Sequence, residues 1–168
     1  MLAKSKGVGW LLGLIVLLAA PLVSADDEAP KGFEGQAFFF ALSVADVEAS
    51  VAWYQRVLGF EPVREVDVAA RGLRIRLLRR PGAYLELIEL AGARSAAEID
   101  PEIAKAYEVL GPFKIGFQVE SLDRTLQLFE AQKVPLRGSV IAEDDLRLRS
   151  TQIVDPDGNV LQIFESLD

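Results

Sequence analysis

The chain contains no cysteine and no histidine among its 168 residues. The first absence excludes disulfide staples, thiolate nucleophiles and zinc held by cysteine, and it leaves the redox compartment unmarked. The second removes the commonest metal ligand and the usual general base near neutral pH. Positive charge is the minority sign: 18 Lys and Arg against 25 Asp and Glu leave a net charge of -7. That balance argues against nucleic acid or an anionic membrane surface as the main partner, since both demand a cationic face. No glycine-rich phosphate cradle, serine nucleophile elbow or aromatic-basic nucleic-acid surface is found either. What remains is 51% hydrophobic and 26% charged, enough for one domain with a real core.

There is one long apolar run, Val8 to Ala20, preceded by Lys4 and Lys6 and followed by the small residues Val23-Ser24-Ala25. This is the pattern of a signal peptide over residues 1–25, cleaved after Ala25, and it predicts an exported protein, periplasmic or secreted. The run is shorter than the ~20 residues of a membrane-spanning helix, and acidic Asp26, Asp27 and Glu28 follow it. Membrane attachment would therefore come only through this segment left uncleaved. Residues 26–35 read as a flexible leader, and 36–168 as the folded domain.

Within that domain one pattern occurs twice. Ala37 to Val44 reads as a buried strand, Asp46 as a helix N-cap, Val47, Val51, Tyr54 and Val57/Leu58 as the helix's apolar stripe, and Gly59 as its stop. Strands follow near Glu61 to Val68, Leu73 to Arg79 and Ala83 to Leu90, separated by Arg71-Gly72 and Pro81-Gly82 turns. The second half repeats the order: a strand at Phe113 to Val119, a helix at Leu122 to Gln132, then strands near Gly138 to Ala142, Leu146 to Val154 and Asn159 to Glu165. Phe39 to Val44 matches Lys114 to Val119, and Tyr84 to Glu89 matches Val160 to Glu165, at nearly constant offset (114 − 39 = 75 and 162 − 86 = 76). The expected fold is α+β, two βαβββ modules (36–91 and 112–168) joined by a bridge (92–111) with a short helix around Pro101 to Val109. Their strands form a cup-shaped, eight-stranded mixed sheet with helices on its outer face.

The stretch Ala41-Leu-Ser-Val-Ala-Asp46 through Ser50, Trp53-Tyr54 and Val57-Leu-Gly-Phe60, with Asp155-Pro-Asp-Gly-Asn159 before the last strand, resembles the vicinal oxygen chelate superfamily of glyoxalase I, extradiol dioxygenases and bleomycin-resistance proteins. The resemblance implies the fold, a small-molecule ligand and, often, a homodimer; it does not imply one reaction. Physically, Asp155-Pro-Asp-Gly is a reverse turn, and Trp53 and Tyr54 belong to the packing of the first helix.

Metal-binding members place ligands, usually His and Glu, on the first and last strands of each module. Carried over, those positions are Phe39, Glu86, Lys114 and Gln162, and Glu86 alone keeps a carboxylate. The expectation is a site without metal or other cofactor, because Phe offers no donor and a protonated Lys repels a cation. The resemblance implies that Glu86 and Gln162 point into the cup, with Tyr84 nearby. Strand alternation turns Phe39 and Lys114 to the same face, and Arg74, Arg76, Arg147 and Arg149 inward, opposite Leu73, Ile75, Leu77, Leu146 and Leu148. Inward guanidinium groups favour an anionic small ligand; the other reading has these arginines at the rim, paired with acids. The leading function is a metal-free binder of a small molecule. The alternatives are a metal-independent enzyme of lyase or isomerase type with Glu86 as general base, and residual metal-dependent glyoxalase or dioxygenase activity.

Overall fold

The structure is a computed structural model and describes residues 37–102 and 110–168. The expected signal peptide and leader, and most of the expected bridge helix, lie outside those residues. Among the described residues no helix is long and apolar enough to cross a membrane.

Strand β1 (Phe38–Ser43) leads into helix α1 (Val47–Leu58), then β2 (Glu61–Val68), β3 (Leu73–Arg80) and β4 (Ala83–Leu90). A short helix α2 (Ala96–Ile99) lies in the bridge. The second module runs β5 (Ile115–Gln118), α3 (Leu122–Ala131), β6 (Ile141–Glu143), β7 (Leu148–Val154) and β8 (Val160–Ser166). The strands form two four-stranded sheets, ordered β1-β4-β3-β2 and β5-β8-β7-β6. In each, the first strand runs parallel to the last and the other neighbours are antiparallel. This is the expected duplicated α+β architecture.

Local chemistry sets the helix ends. The Asp46 carboxylate accepts from the backbone N–H groups of Glu48 and Ala49, both at 3.0 Å, and Gly59 closes the helix at φ 67°. Ser121 caps α3 by accepting from Arg124 N–H. Each helix start is also held by a carboxylate from the last strand of its own module: Glu89 accepts from Val47 N–H at 2.8 Å and Glu165 from Leu122 N–H at 3.3 Å. A carboxylate there meets the positive end of the helix dipole.

The core lies between the helices and one face of each sheet. Tyr54, Leu78, Leu85, Leu87, Leu122, Ile153 and Leu161 are fully buried, and burying each such aliphatic chain contributes roughly 2 kcal/mol. Phe40, Phe60 and Phe117 meet edge to face across the two modules, with the Arg80 guanidinium 5.8 Å from the ring centres of both Phe60 and Phe117.

The duplication reaches down to single backbone positions. Gly72 and Arg147 each follow a 3-10 turn, at φ 56° and φ 48°, and their carbonyls accept from Ala91 N–H and Leu167 N–H. Gly72 therefore corresponds to Arg147, and Arg74 to Arg149. The apparent Leu-Arg-x-Arg echo is displaced: β7 begins at Leu148, Leu146 ends the 3-10 turn before it, and the residue corresponding to Arg76 is Thr151.

Candidate functional site

One face of each sheet is turned away from the helices. On β4, Leu85 and Leu87 go to the core, so Tyr84, Glu86 and Ile88 occupy this open face. Register extends it: Phe39 lies beside Tyr84, Ala41 beside Glu86 and Ser43 beside Ile88, while Arg79, Leu77 and Ile75 lie on their other side. On β2, Arg64 and Val66 lie opposite Leu77 and Ile75. Glu86 is partly buried in this apolar field and makes no hydrogen bond or ion pair among the described residues.

The open face of the second sheet is built from the corresponding residues and differs in chemistry. Gln162 lies between Gly116 and Gln152, with Ser150 and Phe164 in the next row. Gln162 is 8% exposed, and Lys114 lies just before β5 and is exposed. Thus Phe39, Tyr84 and Glu86 share one surface, Gln162 holds the equivalent position on the other sheet, and each last-strand polar residue sits beside a small first-strand residue, Ala41 or Gly116.

The four arginines do not join them. Arg76 is 4% exposed and turned toward α1, where its guanidinium donates to Glu48 at 2.8 Å and to Asp67 at 2.7 Å. Arg74 bridges the same Glu48 to Glu89, the latter at 3.1 Å. Arg149 repeats this in the second module, donating to Asp123 on α3 at 2.8 Å and standing 3.5 Å from Glu165. Arg147 lies in the turn before β7, exposed and paired with Asp168. The inward orientation expected for these side chains is corrected: Leu73, Ile75 and Leu77 take the open face, Arg74, Arg76 and Arg149 bind acids on the helix side, and Arg147 precedes β7. Those hydrogen bonds have electrostatic consequences. The Asp67 and Asp123 carboxyls are held below the usual range, chiefly by the bonds from Arg76 and Arg149.

Asp155 and Asp157 of the last turn clasp the two modules together. Asp155, 4% exposed, accepts from the Tyr54 hydroxyl at 2.9 Å, from the Asp157 and Asn159 N–H groups and from the Asn159 side chain. Asp157 accepts from Ala45 N–H at 2.9 Å and from the Ser50 hydroxyl. Burial, reinforced by the Asp155 charge, pushes the Tyr54 phenol far above its ordinary range, so it stays a donor.

As a metal site, the four positions taken from the resemblance supply one carboxylate, one amide oxygen, a phenyl ring and an ammonium group. A hard divalent cation needs about six oxygen donors, and softer ones need imidazole or thiolate, so this donor set does not fit one. Among the described residues no group of three or more His, Cys, Asp or Glu side chains is placed to hold an ion. A groove of about 530 Å³ along Arg79, Arg80, Gly82 and Tyr84 opens at one end of the apolar surface.

The residues missed in the sequence are Arg64 and Arg79 on the open face, with Leu77 and Ile88 beside Glu86. The signal was present: the tight Pro81-Gly82 turn sets Arg80 opposite Ala83, which fixes Leu78 opposite Leu85 and Arg76 opposite Leu87.

Among solved structures, the chain is similar to a glyoxalase family protein from Enterococcus faecalis, with TM-score 0.64 and 21% identity over 80% of this chain and 98% of that one. It is also similar to the trypanothione-dependent glyoxalase I of Leishmania major, with TM-score 0.57 and 22% identity over 78% of this chain and 86% of that one. At such identity the likeness is one of fold. Comparison with curated protein sequences gives no match. Residues 36–163, nearly the whole described domain, match the family model described as Glyoxalase/Bleomycin resistance protein/Dioxygenase superfamily. With two βαβββ modules, the motifs of its first helix and last turn, and this match, the chain belongs to that superfamily.

Proposed function

We propose that this exported domain binds a small organic molecule on the open face of its first sheet without a bound metal ion. Glu86 carries the reading: a carboxylate set among Phe39, Ala41, Leu77, Tyr84 and Ile88 with no protein partner among the described residues. An unpaired carboxylate against apolar surface is costly unless solvent or a ligand satisfies it, and it is poised to accept from a hydroxyl, amide or amine. The apolar residues around it supply contact area for the ligand's body. Of the arginines that favoured an anionic ligand, Arg74, Arg76 and Arg149 are occupied on the helix side and Arg147 is paired with Asp168 in the turn before β7, so the ligand class moves from anion to hydrogen-bond donor. The absence of a cationic stop-transfer flank after the apolar run of residues 8–20 supports export.

The same carboxylate is chemically suited to abstract a proton, which keeps a metal-independent enzyme as the second reading. Titration calorimetry of the purified domain against a panel of apolar amines, alcohols and amides tests the first. At least one compound is expected to bind, and Glu86→Gln to weaken it about tenfold, the loss of one hydrogen bond to a charged group. Silence from the panel, or equal affinity in the variant, overturns the proposal. Turnover that disappears in Glu86→Gln while binding persists favours the enzyme. A stoichiometric metal ion with activity abolished by chelation overturns both.

A further inference from the structure

The first sheet's open face carries a second unsatisfied charge in the same row as Glu86. Across the four strands that row reads Ala41, Glu86, Leu77 and Arg64. Arg64 makes neither a hydrogen bond nor an ion pair among the described residues, whereas on the opposite face Arg74 and Arg76 are paired with acids and Arg80 donates to the Leu58 carbonyl. Arg79, one row away, has Glu61 directly across from it on β2; Arg64 has Leu77. The strands carrying Glu86 and Arg64 are separated by β3, so the two backbones stand about 10 Å apart. Both side chains are long enough to lean over the leucine between them.

Resting on the binding role proposed above, we infer that the ligand is a zwitterion with an apolar side group: an ammonium held by Glu86, a carboxylate held by Arg64, and the apolar part lying on Leu77, Ile75 and Ile88. The guanidinium fork matches a carboxylate bidentately, and the Phe39 and Tyr84 rings beside Glu86 add attraction for an ammonium group. A ligand with one charge would leave the other end of the row unmatched. A molecule with both replaces the water on both ends while covering the leucine.

The test uses the full mature domain and calorimetry with leucine, phenylalanine and tryptophan, each with its amide, which lacks the carboxylate, and its N-acetyl form, which lacks the ammonium. At least one free amino acid should bind, with both its blocked forms at least tenfold weaker. Arg64→Gln should erase the gap between the amino acid and its amide, and Glu86→Gln the gap to the N-acetyl form. Arg64 is exposed, so its variant is expected to fold; a circular dichroism melt matching wild type confirms that. An amide that binds as well as its parent overturns the zwitterion and leaves the role of Glu86 standing. Silence from the whole set also overturns it, and the wider panel of amines, alcohols and amides then judges the parent reading separately.

Discussion

Removing the Tyr54 hydroxyl breaks one link of the clasp between the modules and little else. The ring is fully buried, and its hydroxyl donates to Asp155 at 2.9 Å. A hydrogen bond to a charged acceptor contributes about 1.5–3 kcal/mol. In Tyr54→Phe, Asp155 keeps its donors from Asp157 and Asn159, so the loss belongs at the low end, about 1.5 kcal/mol. Asp155→Ala is more severe: it strands the buried hydroxyl and frees the turn's N–H groups, and should cost about 4 kcal/mol. Because the phenol is pushed far above its ordinary range by burial, the Tyr54 contribution is fully present below the unfolded phenol's value. It should therefore be constant up to about pH 10. Urea unfolding of both variants and of the double variant, fitted at constant m, measures the coupling, expected at about 1.5 kcal/mol. A cost under about 0.3 kcal/mol for Tyr54→Phe, with no coupling to Asp155, would show that the pair contributes nothing and that the clasp does not hold the modules.

Two further variants test the duplicated backbone. Gly72→Ala would bring a Cβ within 2.5 Å of the Ala91 Cβ at positive φ and should destabilise by about 2 kcal/mol or more. Arg147→Gly at the equivalent position relieves a left-handed residue and loses an exposed ion pair and an exposed hydrogen bond to the Leu167 carbonyl, so it should be neutral or stabilising by up to about 1 kcal/mol; thermal melts decide both. The ion networks predict an acid response. The folded-state values of Asp67 and Asp123 are depressed, so the stability they add is present above the unfolded aspartate value of about 3.9 and lost as pH falls through the folded one. Asp67→Asn combined with Asp123→Asn should flatten the fall of melting temperature below about pH 4, and an unchanged slope would count against this account.

Most of the fold was legible because its signals are local. Asp46, Gly59 and the Pro81-Gly82 turn each act within a few residues, and the near-constant offset between modules supplied the one long-range fact. The candidate site was half legible. Phe39 follows from alternation along β1, and the position of Glu86 from the family resemblance. On β3 alternation is ambiguous. The strand reads Leu-Arg-Ile-Arg-Leu-Leu-Arg-Arg, and the adjacent Leu77 and Leu78 let either parity claim the core. Simple alternation ranks three leucine and isoleucine side chains above two arginines for burial, since an unpaired buried charge is costly. It misses that Glu48 and Asp67 wait on the helix side to neutralise Arg76.

The second module shows how contingent that arrangement is. Where Arg76 stands in the first, Thr151 is buried in the second, and its hydroxyl has no hydrogen-bond partner among the described residues. There a single arginine, Arg149, serves Asp123 and Glu165. The conserved geometry is thus a carboxylate from the last strand on each helix start with one arginine beside it, and the additional arginine of the first module came with its own acids. On the helix side Arg74, Arg76 and Arg149 are each paired with acids. Glu86 and Arg64 lie on the side where the fold has no use for them, which is the physical reason to look for their partners in a ligand.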